Sequence, residues 1–252
     1  METKMLKRIL ISAMLCAALV WGGYGCMDNN KKSSDENMQK EMLDYLQDKY
    51  GQSFAAIEYV SAKRGFNDSM NESILVAQSA EGFLVNVRSR VKNAGEFYDN
   101  YSDSLASWVI DNKIDYSSIK DFGFAKTYVT LYQNMDDSGL QSIRNDIDFL
   151  TDCEKGFSCL LAIKAPISDG GIEAAYELYR QVDSLNGVNL RLQVAFSASG
   201  ENTEKYVNNY PFYGTIQWQE FDSEISNYAL ISESGLNPEQ FSDLLLKWED
   251  KR

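Results

Sequence analysis

The chain has 252 residues and a formal net charge of −13, with 24 Lys and Arg against 37 Asp and Glu and no histidine. The acidic balance argues against a nucleic-acid partner, because phosphates demand a basic face. The absence of histidine removes Ser-His-Asp and Cys-His catalysis, His-ligated zinc and His-based pH switching. Carboxylate chemistry and oxygen-ligand calcium binding survive that exclusion.

In chain order, Lys4, Lys7 and Arg8 precede an apolar run over residues 9–20 (ILISAMLCAALV), and a glycine-rich stretch then ends beside Cys26. A basic start, an apolar middle and small residues before a boundary are the parts of a secretory signal. Residues 1–25 resemble the signal of bacterial lipoproteins. In that family the cysteine sulfur receives a diacylglyceryl group and the chain is cut just before it, so the resemblance makes Cys26 the lipidated N-terminus. Gly25 fits the family's pattern, whereas Gly23 and Tyr24 stand where Leu and a small residue are usual. Cys16 is the poorer candidate, with Met14 and Leu15 before it and little apolar sequence upstream. Two other readings stay open. An uncleaved anchor needs about 20 apolar residues, and residues 9–25 fall short and contain three glycines. An ordinary signal ends in an A-x-A-like site, which is absent. In the lipoprotein and anchor readings the positive charge stays in the cytoplasm, so residues after 26 lie outside. The expected location is the outer face of the cell membrane, lipid-anchored. Two acyl chains hold firmly, at about 0.8 kcal/mol per buried CH₂.

Residues 26–37 read as a flexible polar tether without periodicity. The first 25 residues carry Glu2 against Lys4, Lys7 and Arg8, a net +2, so the remainder is near −15. That charge suits a soluble domain standing off anionic lipid heads.

The folded part alternates helices and strands. Residues 37–50 (NMQKEMLDYLQDKY) form an amphipathic helix stopped by Gly51. Strands follow at 55–62, 74–79 and 83–88, with Glu81-Gly82 as a hairpin turn between the last two. A helix over 101–113 is capped by Ser102 or Asp103 and carries Leu105, Trp108 and Val109 on its apolar face. A strand at 124–134, a helix at 140–150, a strand at 158–164, a helix at 171–185 and a strand at 189–196 come next. A short helix at 203–208, a strand at 215–221 and a helix at 238–248 complete the chain. The fold class is therefore α+β: an N-terminal helix plus a three-stranded antiparallel meander, then an alternating β/α half. The units are 38–118 and 119–252, with a soft boundary near 115–121 and one continuous domain as the alternative.

The opening MLDYLQDKYGQSFAAIEYVSA, with Tyr45, Leu46, Lys49, Tyr50, Gly51 and Phe54, resembles small exported lipoproteins of low-GC Gram-positive bacteria that carry a YLxxKYGxxF stretch. The acidic helix at 171–185 and the strand NLRLQVAF are also similar. The resemblance implies fold and location, and it supplies no catalytic residues.

Candidate chemistry is sparse. Cys153 and Cys159 in DCEKGFSC form a disulfide or remain two reduced thiols; a loop so short stabilises by only about 2 kcal/mol. Asp146 and Asp148, two apart on a helix, share no face, and Asp136 and Asp137 are adjacent, so all four read as a solvated acidic face. FNDSMNE and DNYSDS do not follow the calcium-loop pattern. Ser168-Asp169-Gly170-Gly171 lacks a P-loop Lys and reads as a helix cap. No cofactor or metal is expected. The segment NNYPFYGTIQW gathers Tyr210, Phe212, Tyr213 and Trp218, and Tyr210 and Tyr213 are the candidate exposed binding patch. The expectation is a non-enzymatic binding or scaffolding lipoprotein whose partners are the membrane, through its lipid, and an envelope protein or glycan. The competing expectation is a carboxylate-based hydrolase of envelope glycan, which requires two convergent carboxylates about 5 to 9 Å apart.

Overall fold

The computed structural model describes residues 29–62, 71–90, 95–132, 135–145, 155–185, 191–197, 203–204, 207–208 and 225–247. Helix α1 spans Asn29–Tyr50. Its packed half follows the apolar spacing: Met38, Met42 and Leu46 recur every four residues, and Met42 and Leu46 are fully buried. It stops at Gly51, whose φ of 64° is left-handed and whose N–H bonds back to the Gln47 carbonyl. The helix also takes in residues 29–37, which were expected to form a flexible tether. That stretch lacks apolar periodicity, which reports packing, but it also lacks Gly, Pro and β-branched residues. Nothing in it stops a helix already nucleated by the packed half.

Four strands form the first sheet, β1 (Phe54–Val60), β2 (Glu72–Ser79), β3 (Leu84–Arg90) and β4 (Phe97–Asp99), in the order β1-β2-β3-β4. All neighbours are antiparallel. The expected meander is present, with the three-residue β4 added to it. The turn between β2 and β3 uses Gly82 at φ 100°. Leu75, Ala77, Val85 and Val87 point into the core, and Val76, Gln78, Leu84, Asn86 and Arg88 alternate onto the other face.

Helix α2 (Tyr101–Asp111) leads through a 3₁₀ turn (Tyr116–Ser118) to β5 (Gly123–Leu131). Neither Ser102 nor Asp103 caps α2. Asn100 holds the N-cap position without a side-chain bond to the helix, because its Oδ1 accepts from the Asn86 N–H of β3 instead. Helix α3 (Asp137–Asn145), β6 (Lys155–Ile163), α4 (Asp169–Ser184), β7 (Leu192–Ser197), β8 (Ile225–Ile231) and α5 (Pro238–Leu246) follow. The second sheet has the order β5-β6-β7-β8; α4 links the parallel pair β6 and β7, and the other pairs are antiparallel. This is the alternating β/α half, and the whole is α+β. Ser168 caps α4 as its sequence implies, and Asn237 with Gln240 forms a capping box on α5 behind Pro238. The strand expected at 215–221 lies outside the described residues.

One apolar core runs through both halves: Met42, Leu75 and Leu105 belong to the same cluster as Leu161, Leu178 and Phe196. Residues 115–121 therefore join two sheets over a shared interior. On the far face of the second sheet Leu160, Ala162, Ala195 and Tyr228 gather around Val207.

Candidate binding groove

Polar side chains add to the shared core at the join between the sheets. Strand β5 is an edge strand, so alternate N–H groups of its outer side need acceptors. Helix α2 supplies them. Asp103 accepts from the Leu131 N–H at 2.9 Å, Ser107 Oγ from the Val129 N–H at 2.8 Å, and Asp111 from the Thr127 N–H at 3.0 Å. The match is geometric. Four residues of helix rise about 6 Å, and two residues of strand advance about 6.7 Å. A helix residue at every fourth position therefore meets a strand N–H at every second one. Leu105, Ala106, Val109 and Ile110, on the other side of α2, are buried in the core.

Above this clasp lies a groove of about 630 Å³. Val76, Gln78, Leu84, Asn86, Arg88 and Tyr98 of the first sheet form one wall. Lys126, Tyr128 and Thr130 of β5 form the other, and Asp103, Ser107, Trp108 and Asp111 of α2 run along the base. Tyr98 is 51% exposed. Trp108 is half-buried against the Phe83 ring, with centroids 5.8 Å apart.

The carboxylates of this region differ in charge environment. Burial pushes Asp103 up to about 6, against the Leu131 N–H bond, and the nearby Asp99 charge adds to the rise. Asp111 is also raised by burial, which the Tyr116 hydroxyl and Thr127 N–H only partly offset. Asp99 lies at the end of β4 and its side chain is only 2% exposed. Burial acts upward on it too, yet its four donors outweigh burial and hold it below the usual carboxylate range. Those donors are Lys49 Nζ at 2.7 Å, the Tyr45 and Tyr50 hydroxyls at 2.6 Å each, and the Tyr101 N–H at 2.9 Å.

This knot accounts for the YLxxKYGxxF stretch. Tyr45, Lys49 and Tyr50 bind Asp99, Leu46 fills the core, Gly51 ends the helix, and Phe54 meets the Tyr50 ring edge-on. Tyr50 in turn stacks on Tyr101 at 3.8 Å. The motif ties α1 to β4 and α2, which is a structural task.

Of the site residues expected from sequence, Cys26, Cys153, Tyr210 and Tyr213 lie outside the described residues, as do Asp146 and Asp148. Cys159 is a free thiol, fully buried in the middle of β6, and burial raises it to about 12. Asp136 accepts from the Gly139 N–H and caps α3, and it and Asp137 are both exposed.

The groove residues were not singled out from sequence. The legible signal was the Asp103, Ser107, Asp111 stripe at four-residue spacing, opposite the apolar face of the same helix. Among the described residues no group of three or more His, Cys, Asp or Glu is placed to hold a metal ion.

Fold and site together define an α+β protein with an open groove where two sheets meet. No protein-family model matches the chain and no curated protein does. Among solved structures, a DUF5037 family protein from Ruminococcus gnavus ATCC 29149 aligns over 85% of this chain and 100% of its own, with 12% identity and a TM-score of 0.47. At that distance neither fold nor activity passes from one protein to the other.

Proposed function

We propose that this chain is an extracytoplasmic lipoprotein, anchored to the membrane through Cys26, that binds an envelope protein or glycan without catalysis. The observation that carries the non-enzymatic reading is the engagement of the groove carboxylates. Asp103 and Asp111 each accept a β5 backbone N–H. Asp99, the third carboxylate lining the groove, is held by Lys49, Tyr45, Tyr50 and the Tyr101 N–H. The work of all three is structural. Tyr98, Trp108 and Lys126 remain to meet a ligand, and aromatic rings beside amides and cations suit a polar surface.

The anchoring rests on the signal-like run before Cys26. No helix among the described residues is long and apolar enough to cross a membrane. Two measurements test the reading. Mass analysis of the N-terminal fragment should show a diacylglyceryl thioether on Cys26; an unmodified Cys26 inside a full-length chain defeats it. The Cys26→Ser chain, mixed with purified cell-wall glycan, should co-sediment without releasing reducing ends, and Trp108→Ala with Lys126→Ala should weaken co-sedimentation. Release of reducing ends that disappears in Asp103→Asn would establish the hydrolase instead.

A further inference from the structure

We infer that the end of the first sheet carrying Val60, Arg88 and Arg90 faces the lipid headgroups, because α1 acts as a rigid stalk; this rests on lipid attachment at Cys26. The argument begins with the start of α1. Asn29 is already helical, so Met27 and Asp28 alone separate Cys26 from the helix. Three residue steps span at most about 11 Å.

The helix then runs antiparallel to β1. Strand β1 has seven residues, about 23 Å long, which equals roughly 15 residues of helix. Counting back 15 from Tyr50 gives Asp35, and the Ser61 hydroxyl does bond Asp35 at 2.8 Å. The helix therefore projects beyond β1 only from Asn29 to Asp35, about 9 Å. The body of the fold starts within about 20 Å of the acylated cysteine, and a helix bonded to the sheet at Asp35 and buried from Met42 onward cannot swivel freely.

The residues at that end suit an anionic surface. Arg88 and Arg90 are 40% and 57% exposed and share one acidic partner, Glu72. Asp35 lies at the same end, with its carboxylate engaged by the Ser61 hydroxyl. Val60, 46% exposed, adds an apolar contact on the same sheet face. Anionic headgroups attract basic residues held near the surface. The opposite end, at Gly51 and the Ala80–Gly82 turn, lies a strand length farther away.

The test uses the full chain, exported and processed in a bacterial host, in a Cys153→Ser background. Lipidation blocks Cys26, Cys16 leaves with the signal and Cys159 is buried, so an introduced cysteine is the labelled site. A fluorophore is placed at Val60→Cys or at Ala80→Cys, and the protein is reconstituted in phosphatidylcholine–phosphatidylglycerol vesicles bearing a headgroup quencher. The stalk predicts strong quenching at 60 and little at 80. A flexible Gly-Ser insertion between Asp28 and Asn29 should abolish the difference while the protein still floats with the vesicles. Equal quenching at both positions in protein that floats overturns the orientation and leaves the anchor standing. Protein that does not float, with a reactive Cys26, overturns the anchor and the orientation with it.

Discussion

Asp99 and Asp103 stand four residues apart, both largely buried, and they titrate in opposite directions. Asp99 faces an ammonium, two phenols and a backbone N–H; Asp103 accepts one backbone N–H from Leu131 and feels the charge of Asp99. Burial opposes the charge of each. The number and charge of the donors decide which carboxylate stays ionised. The knot at Asp99 is thus an anchor between α1 and the first sheet that keeps its charge below the usual carboxylate range, and the clasp at α2 and β5 is a seam whose Asp103 gives up its charge below about pH 6.

The knot is where the contrast breaks most severely. Asp99→Ala leaves two part-buried hydroxyls and one N–H short of an acceptor, and Lys49 without its ion-pair partner. The expected loss is about 3 kcal/mol, read as a lower urea midpoint with an unchanged m-value. Asp99 also has a predictable pH signature. Its folded pKa lies below the unfolded value, so its stabilisation is complete above the unfolded pKa. It is lost as pH falls below about 4.

In the clasp, Asp111→Ala should cost about 2 kcal/mol, because the Thr127 N–H and the Tyr116 hydroxyl both lose their acceptor. Ser107→Ala removes the acceptor of one strand N–H, and about 1 kcal/mol is expected. Urea unfolding of both variants checks this order. A Ser107→Ala loss equal to that of Asp99→Ala would show that the seam, rather than the knot, governs stability.

Sequence reading recovered what depends on local pattern. Met42 and Leu46 show their spacing, Gly82 its turn, and Ser168 its cap. It missed what depends on a distant partner. Nothing near Asp103 signals that its acceptor role lies 28 residues away at Leu131, so it looked like an N-cap. β4 is three residues of Phe-Tyr-Asp, too short to show alternation. β8 carries Ser226 and Asn227, and the buried Asn227 donates its amide to the Leu245 carbonyl of α5 while its Oδ1 stays without a partner among the described residues. The first turns of α1 were read as tether because polar helices hide from an apolar-periodicity test. The groove escaped notice for the same reason as Asp103: its walls come from two sheets, which the clasp and the shared core bring together.

The smallest expected effect is also the sharpest test of that contrast. Asp103→Asn keeps a carbonyl oxygen for the Leu131 N–H and removes the buried charge. At pH 7 the loss of a charge-assisted bond and the relief of desolvation oppose each other, so the net change should stay within about 1 kcal/mol. The pH profile separates the two contributions. Asp103 has a folded pKa of about 6 and an ordinary unfolded value of 3.8. Between those pH values the folded chain holds the proton that the unfolded chain has released. Stability should therefore decline as pH rises from about 4 to 6 and level off above. Asp99 acts below that window and with the opposite slope. Urea midpoints taken at closely spaced pH should show the decline in the parent chain, and a flatter profile in Asp103→Asn with the acid limb from Asp99 retained. An unchanged slope in Asp103→Asn would mean that another group titrates there.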